Sequence, residues 1–138
     1  MTRVFVYGSL LQGFGNHVLL HGATCLGEAT TAPEFTMVSL GVFPGVYLDG
    51  DTTIQGEVYE VDEAQEARLN GLEGVDHDCP ERGLYRREFI DVNLEGYGKV
   101  NVLIYIYNGS RWRSDDEIVE SGSWRQYRRE SDKYYRYG

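Results

Sequence analysis

The sequence predicts a mostly β domain with one or two helices packed on it. Three observations carry that expectation. Seventeen glycines against three prolines supply many turns, short runs rich in β-branched and aromatic residues lie between them, and a single segment carries helix-start signals. In chain order, strands are expected over residues 3–9, 25–31, 35–40 and 53–61. A short helix is expected over 16–21, because Asn16 is a good N-cap and Val18, Leu19 and Leu20 can bury. The stronger helix runs over 63–73: Asp62 stands as N-cap with Gln65 three positions on, the pattern of a capping box, and Gly74 follows as a stop. Gly71 inside it costs about 1 kcal/mol relative to Ala.

Two further strands should form a hairpin. Residues 84–94 place Ile90, Val92 and Leu94 on one face with Arg87, Asp91 and Asn93 opposite, and residues 99–107 place Val100, Val102, Ile104 and Ile106 together. Glu95-Gly96-Tyr97-Gly98 would close the turn. Residues 109–138 are expected to be an extended tail packing on the rest of one 138-residue domain.

With 138 residues and 15.7 kDa, the chain has room for one core. Its 22 acidic and 13 basic side chains leave a net charge of -9. Such a field repels nucleic acid and anionic lipid. Residues 1–108 hold six basic and sixteen acidic groups, and residues 109–138 hold seven and six. The tail interleaves Trp124, Tyr127, Tyr134, Tyr135 and Tyr137 with Arg125, Arg128, Arg129, Lys133 and Arg136, superficially a stacking platform for single strands. Its own six acids and the global charge favour packing, with arginine stems over apolar surface. No run approaches the roughly 18 apolar residues of a membrane span, and the chain opens directly into a strand-like run, so a cytoplasmic location is expected. Cys25 and Cys79 are too few and too separated for a disulfide framework or zinc site, and are expected to be reduced.

Tyr7-Gly8-Ser9-Leu10 has chemical shape: a strand runs into glycine, where backbone N–H groups can converge on an anion. Val18 stands where a third phosphate-loop glycine would fall, and Leu11 where a nucleophile elbow needs glycine, so neither a nucleotide loop nor a serine nucleophile is expected. His17 and His21 lie four apart, and Asp76-His77-Asp78-Cys79 gathers ligand types, but neither completes a metal set. No metal or organic cofactor is expected. Among the acids Glu73 stands apart. It ends a helix, where the dipole disfavours an anion, and Leu72, Gly74 and Val75 can desolvate it, so its pKa should rise toward neutrality. A carboxyl poised there can accept a proton and return it.

The same residues resemble a known family. Tyr7-Gly8-Ser9-Leu10, Gly15-Asn16-His17 with Leu19-Leu20, Gly56-Glu57-Val58-Tyr59-Glu60-Val61-Asp62, Leu69-x-x-Leu72-Glu73-Gly74, Leu84-Tyr85-x-Arg87 and Ser121-Gly122-Ser123-Trp124 are similar, in this order, to the gamma-glutamylcyclotransferase-like superfamily. The AIG2-like, gamma-glutamylamine cyclotransferase branch is the nearest in pattern. That resemblance implies an α+β fold, a small β-barrel-like sheet with a helix or two packed on it and a pocket at one barrel end. It also implies that Tyr7, Gly8, Ser9 and Leu10 bind substrate through backbone N–H groups, that Glu73 is the acid/base, and that Tyr85 lines the pocket.

The implied substrate is a γ-glutamyl amide, or a related polar metabolite if the pocket only binds. In the first case the α-amine closes on the side-chain carbonyl, releasing 5-oxoproline and an amine. Asn70 stands where the family often has Asp, and residues 75–83 look like an inserted acidic loop beside the mouth, expected to bear on substrate choice.

Overall fold

The computed structural model describes residues 1–109 and 117–137, the last seven as backbone only. Among the described residues, eight strands and two α-helices form an α+β fold. The strands are β1 (Thr2–Val6), β2 (Thr24–Thr31), β3 (Phe35–Ser39), β4 (Pro44–Thr52), β5 (Gln55–Val61), β6 (Tyr85–Leu94), β7 (Gly98–Tyr107) and β8 (Glu117–Ile118); the helices are α1 (Glu63–Leu72) and α2 (Trp124–Tyr137). β1, β5, β2, β6 and β7 close into a five-stranded barrel, and β4, β3 and β8 make a separate three-stranded sheet. Closure comes from β1 lying parallel to β7, with Val4 opposite Leu103, which removes the open edges a small sheet would otherwise expose.

The β6–β7 hairpin pairs from Tyr85 with Tyr107 to Leu94 with Gly98. Val100, Val102, Ile104 and Ile106 are buried as the alternation predicts. Leu103 and Tyr105, on the opposite face, are buried too. The reason is α1: the Tyr105 hydroxyl donates to Asn70 Oδ1 at 2.7 Å, so this end of β7 is covered on both sides. α1 itself starts with the expected capping box, Gln65 N–H to Asp62 Oδ1 at 2.8 Å and Asp62 N–H to Gln65 Oε1 at 2.9 Å, and ends one residue earlier than expected.

Several elements differ from expectation for local reasons. β1 stops at Val6, since the chain bends into a turn closed by Leu11 N–H on the Gly8 carbonyl at 3.0 Å. The segment expected as a second α-helix is a 3-10 helix, Gly15–Leu20. Asn16 does not cap it. Its amide group is spent on the preceding turn, with Nδ2 donating to Ser9 Oγ at 2.9 Å and its N–H to the Ser9 carbonyl at 3.1 Å. β4 is not among the expected strands, and it contains the irregular stretch Asp49-Gly50-Asp51. A register shift opposite Phe35 and Thr36 lets those residues bulge within the strand. The extended tail is corrected over 124–137 to a helix. Ser123 Oγ accepts from Gln126 N–H at 3.2 Å, a serine cap of the kind that starts helices. Trp112 and the rest of 110–116 lie outside the described residues, as do the side chains of Tyr134, Tyr135 and Tyr137.

Candidate active site

Glu73 sits where α1 ends. Its N–H donates to the Leu69 carbonyl at 2.9 Å, and its own carbonyl accepts from Tyr85 N–H at 3.1 Å. Gly74 then reverses the chain at φ 64, a conformation that glycine enters without strain. The helix end is thereby tied to the start of β6. The carboxyl faces a cavity of about 160 Å³ whose walls include Tyr7, Gly8, Ser9, Leu10 and Tyr85. Every site residue expected from the sequence therefore lines one space.

Burial pushes the Glu73 carboxyl up to about 7, because the charged form loses water in this apolar setting. The side chain is only half-buried by exposed area, which agrees with a carboxyl that opens on a narrow cavity rather than on bulk solvent. It forms no hydrogen bond or ion pair with any described residue, so no described side chain stabilises its charge. Desolvation is the cause of the rise, without a contribution from the helix dipole.

Opposite lies the turn after β1. Gly8, Ser9 and Leu10 N–H groups donate to no described acceptor, as the inner N–H groups of a turn often do not. Glycine is required at position 8 by packing: a Cβ there would stand 2.7 Å from the Pro44 ring. Behind the turn, Glu57 is buried in β5 and fully engaged. It accepts from Gln12 N–H at 3.0 Å and the Tyr59 hydroxyl at 3.1 Å, and pairs with Arg125 Nη2 at 3.1 Å. Gly56 beside it lets β5 approach β1, since a Cβ would meet the Val6 carbonyl oxygen at 2.3 Å. An acid in mid-strand between apolar neighbours was the sequence signal for this strut.

The pocket tyrosines are held in place by backbone carbonyls. Tyr7 donates its hydroxyl to the Tyr105 carbonyl at 2.6 Å and Tyr85 to the Pro44 carbonyl at 2.7 Å. Burial, reinforced for each by the nearby Glu73 charge, holds the Tyr7, Tyr85 and Tyr105 phenols well above their usual pKa. They stay neutral donors. Phe5, Phe43, Pro44 and Tyr105 are also among the walls and are not among the residues expected there; Tyr105 lies on the strand face that the alternation assigns away from the core. Asn70 is not in the cavity. Its Oδ1 accepts from both Arg87 Nη1 and the Tyr105 hydroxyl, and Arg87 is paired with Glu66 at 2.6 Å. Of the acidic loop, residues 76–82 line none of this cavity, although Leu84 just beyond does. Cys25 and Cys79 are free.

A family model described as gamma-glutamyl cyclotransferase, AIG2-like, matches residues 4–126. The chain is similar to the gamma-glutamylcyclotransferase family protein YtfP of Escherichia coli K12, with 34% identity over 122 residues, 88% of this chain and 95% of the relative. It is similar also to the gamma-L-glutamyl-butirosin B gamma-glutamyl cyclotransferase of Niallia circulans, 31% identical over 128 residues, covering 93% and 78% of the two chains. Among solved structures, an AIG2-like protein from Mus musculus superposes with a TM-score of 0.67 at 29% identity, covering 83% of this chain and 81% of that one.

Proposed function

Because the chain belongs to the AIG2-like gamma-glutamyl cyclotransferase family, we propose that it releases 5-oxoproline and a free amine from a γ-glutamyl amide, with Glu73 as general acid/base. One observation carries the reading. A desolvated, unpaired carboxyl and three uncommitted backbone N–H groups line the same small cavity.

The substrate brings its own nucleophile. Its α-amine and side-chain carbonyl can close a five-membered ring, and such intramolecular attack gains effective molarities of about 10⁵ M or more when the geometry is held. Glu73, ionised at and above neutral pH, takes a proton from the α-ammonium. The amine attacks the amide carbon and the carbonyl oxygen becomes an oxyanion, where each N–H of the Gly8–Leu10 turn contributes about 3 to 4 kcal/mol. As the intermediate collapses, the C–N bond to the leaving amine breaks. Glu73 returns its proton to that amine, and the ring nitrogen loses its second proton to solvent, which leaves the lactam N–H and an ionised Glu73 ready for the next turnover. No electron transfer or co-substrate is required. Tyr7 and Tyr85, fixed by their hydrogen bonds to backbone carbonyls, wall the glutamyl group.

Incubation with a panel of γ-glutamyl amides, followed by mass spectrometry, tests this. Equal amounts of 5-oxoproline and amine are expected from at least one member. Ligand recovered unchanged throughout would leave a binding pocket and no enzyme. Gly8→Ala is expected to push the turn off Pro44 and misplace its N–H groups. An error near 1 Å costs about 100-fold in rate, so kcat should fall by about that much, read by the same assay with circular dichroism as the folding control. An unchanged kcat would remove the turn from the mechanism.

A further inference from the structure

The cavity of Glu73 abuts a second, wider cleft of about 620 Å³, and the two share Ser9, Asn16 and Phe43 as walls. The far side of this cleft is α2, which contributes Arg125, Arg128 and Arg129, and no described carboxylate lines it. In a chain with a net charge of -9 that local excess of cation is out of character. Arg125 is already used: it pairs with Glu57 and lies over the Phe14 ring at 5.5 Å. Arg128 is different. Its guanidinium rests on the Trp124 ring at 5.9 Å and forms no ion pair with a described residue, and exposed Arg129 forms none either.

We propose that this cleft receives the leaving-amine half of the substrate and that this half carries a carboxylate, held by Arg128 and Arg129. The inference rests on the cyclotransferase reading. It narrows the substrate class to γ-glutamyl amino acids or peptides with a free carboxylate. A glutamyl group in the Glu73 cavity brings its amide substituent to the shared wall at Ser9 and Asn16, one cavity away from the two guanidinium groups. Arginine forks match a carboxylate with paired N–H donors, and stacking on Trp124 holds one fork in place before binding. A cationic leaving amine, such as an aminoglycoside, would meet like charge there.

The test compares kcat and KM for γ-glutamyl-alanine, γ-glutamyl-alaninamide and a mono-γ-glutamyl diamine, whose leaving groups are anionic, neutral and cationic. A preference of about tenfold in kcat/KM for the acid over the amide is expected, carried by KM and reduced in about 1 M salt, where the screening length falls to about 3 Å. Arg129→Gln should lose part of the preference and the Arg128→Gln, Arg129→Gln double variant all of it. Arg68→Gln, which removes an exposed charge of α1 that borders neither cavity, should retain it. Equal values for the three substrates would overturn the inference while leaving the cyclotransferase reading intact, as would a double variant that keeps the preference. No 5-oxoproline from any of the three would overturn both.

Discussion

Glu73→Gln is expected to lower 5-oxoproline release by about 10³-fold or more while the protein stays folded. General acid–base groups typically contribute about 10² to 10⁴ in rate, and in the proposed mechanism one carboxyl serves both proton transfers, so its loss should fall at the upper part of that range. Glutamine keeps the volume of the side chain, which faces a cavity and has no hydrogen-bond or ion-pair partner among the described residues to lose. In the wild type, kcat/KM should rise with pH through about 7, the pKa to which burial pushes Glu73, because the base is competent only when ionised. The variant's residual rate should lack that inflection. A variant with wild-type rate, or a wild-type profile flat between about pH 6 and 8, would remove Glu73 from the mechanism.

The same carboxyl has a stability signature of opposite sense. Its folded pKa lies above the ordinary carboxylate value of 4.5, so between those two values the native state binds more protons than the unfolded chain. Stability from this group is fully present at about pH 4 and is lost as pH rises through about 7, amounting to about 3 kcal/mol. Glu73→Gln should therefore be more stable than wild type at about pH 8 and nearly equal to it at about pH 4, which thermal melts can read directly. A group that costs stability in the pH range where the proposed mechanism needs it ionised is the trade expected of a residue kept for function.

Trp124→Ala is expected to destabilise the fold by about 4 kcal/mol, near the middle of the range for truncating a buried tryptophan. Trp124 is 1% exposed, begins α2 and stacks on Tyr127 with ring centroids 5.0 Å apart. Just before it, the Gly122 carbonyl accepts from Gln55 N–H at 2.9 Å, and Gly122 lies so near β5 that a Cβ would stand 1.9 Å from the Thr53 carbonyl oxygen. The start of α2 is thus part of the core. For a chain of this length the loss corresponds to about 15 °C in Tm, measured by calorimetry. A shift of only about 2 °C would show that the helix is peripheral.

How much of this was legible from residues alone varies with the range of the interactions concerned. The α1 start was legible because Asp62 and Gln65 satisfy each other within one turn, and the β6–β7 hairpin because its partners are joined by a short turn. The 3-10 segment was misjudged because Asn16, a good cap by type, is claimed by Ser9. β4 was missed because its irregular Asp-Gly-Asp stretch is tolerated only against Phe35 and Thr36. Tyr105 was overlooked because helix α1 covers a strand face that a two-residue period assigns to solvent.

By itself the sequence determined the balance of strand to helix, the carboxyl at a helix end and the glycine turn after the first strand, since each depends on neighbours within a few positions. Only the tertiary structure decided that Glu73 and the Gly8–Leu10 amides share one cavity, that Glu57 braces the turn, and that Arg128 and Arg129 border the adjoining cleft. Those relations join residues about 45 to 120 positions apart, and they depend on barrel closure and on the exclusion of water, neither of which any local stretch of chain encodes.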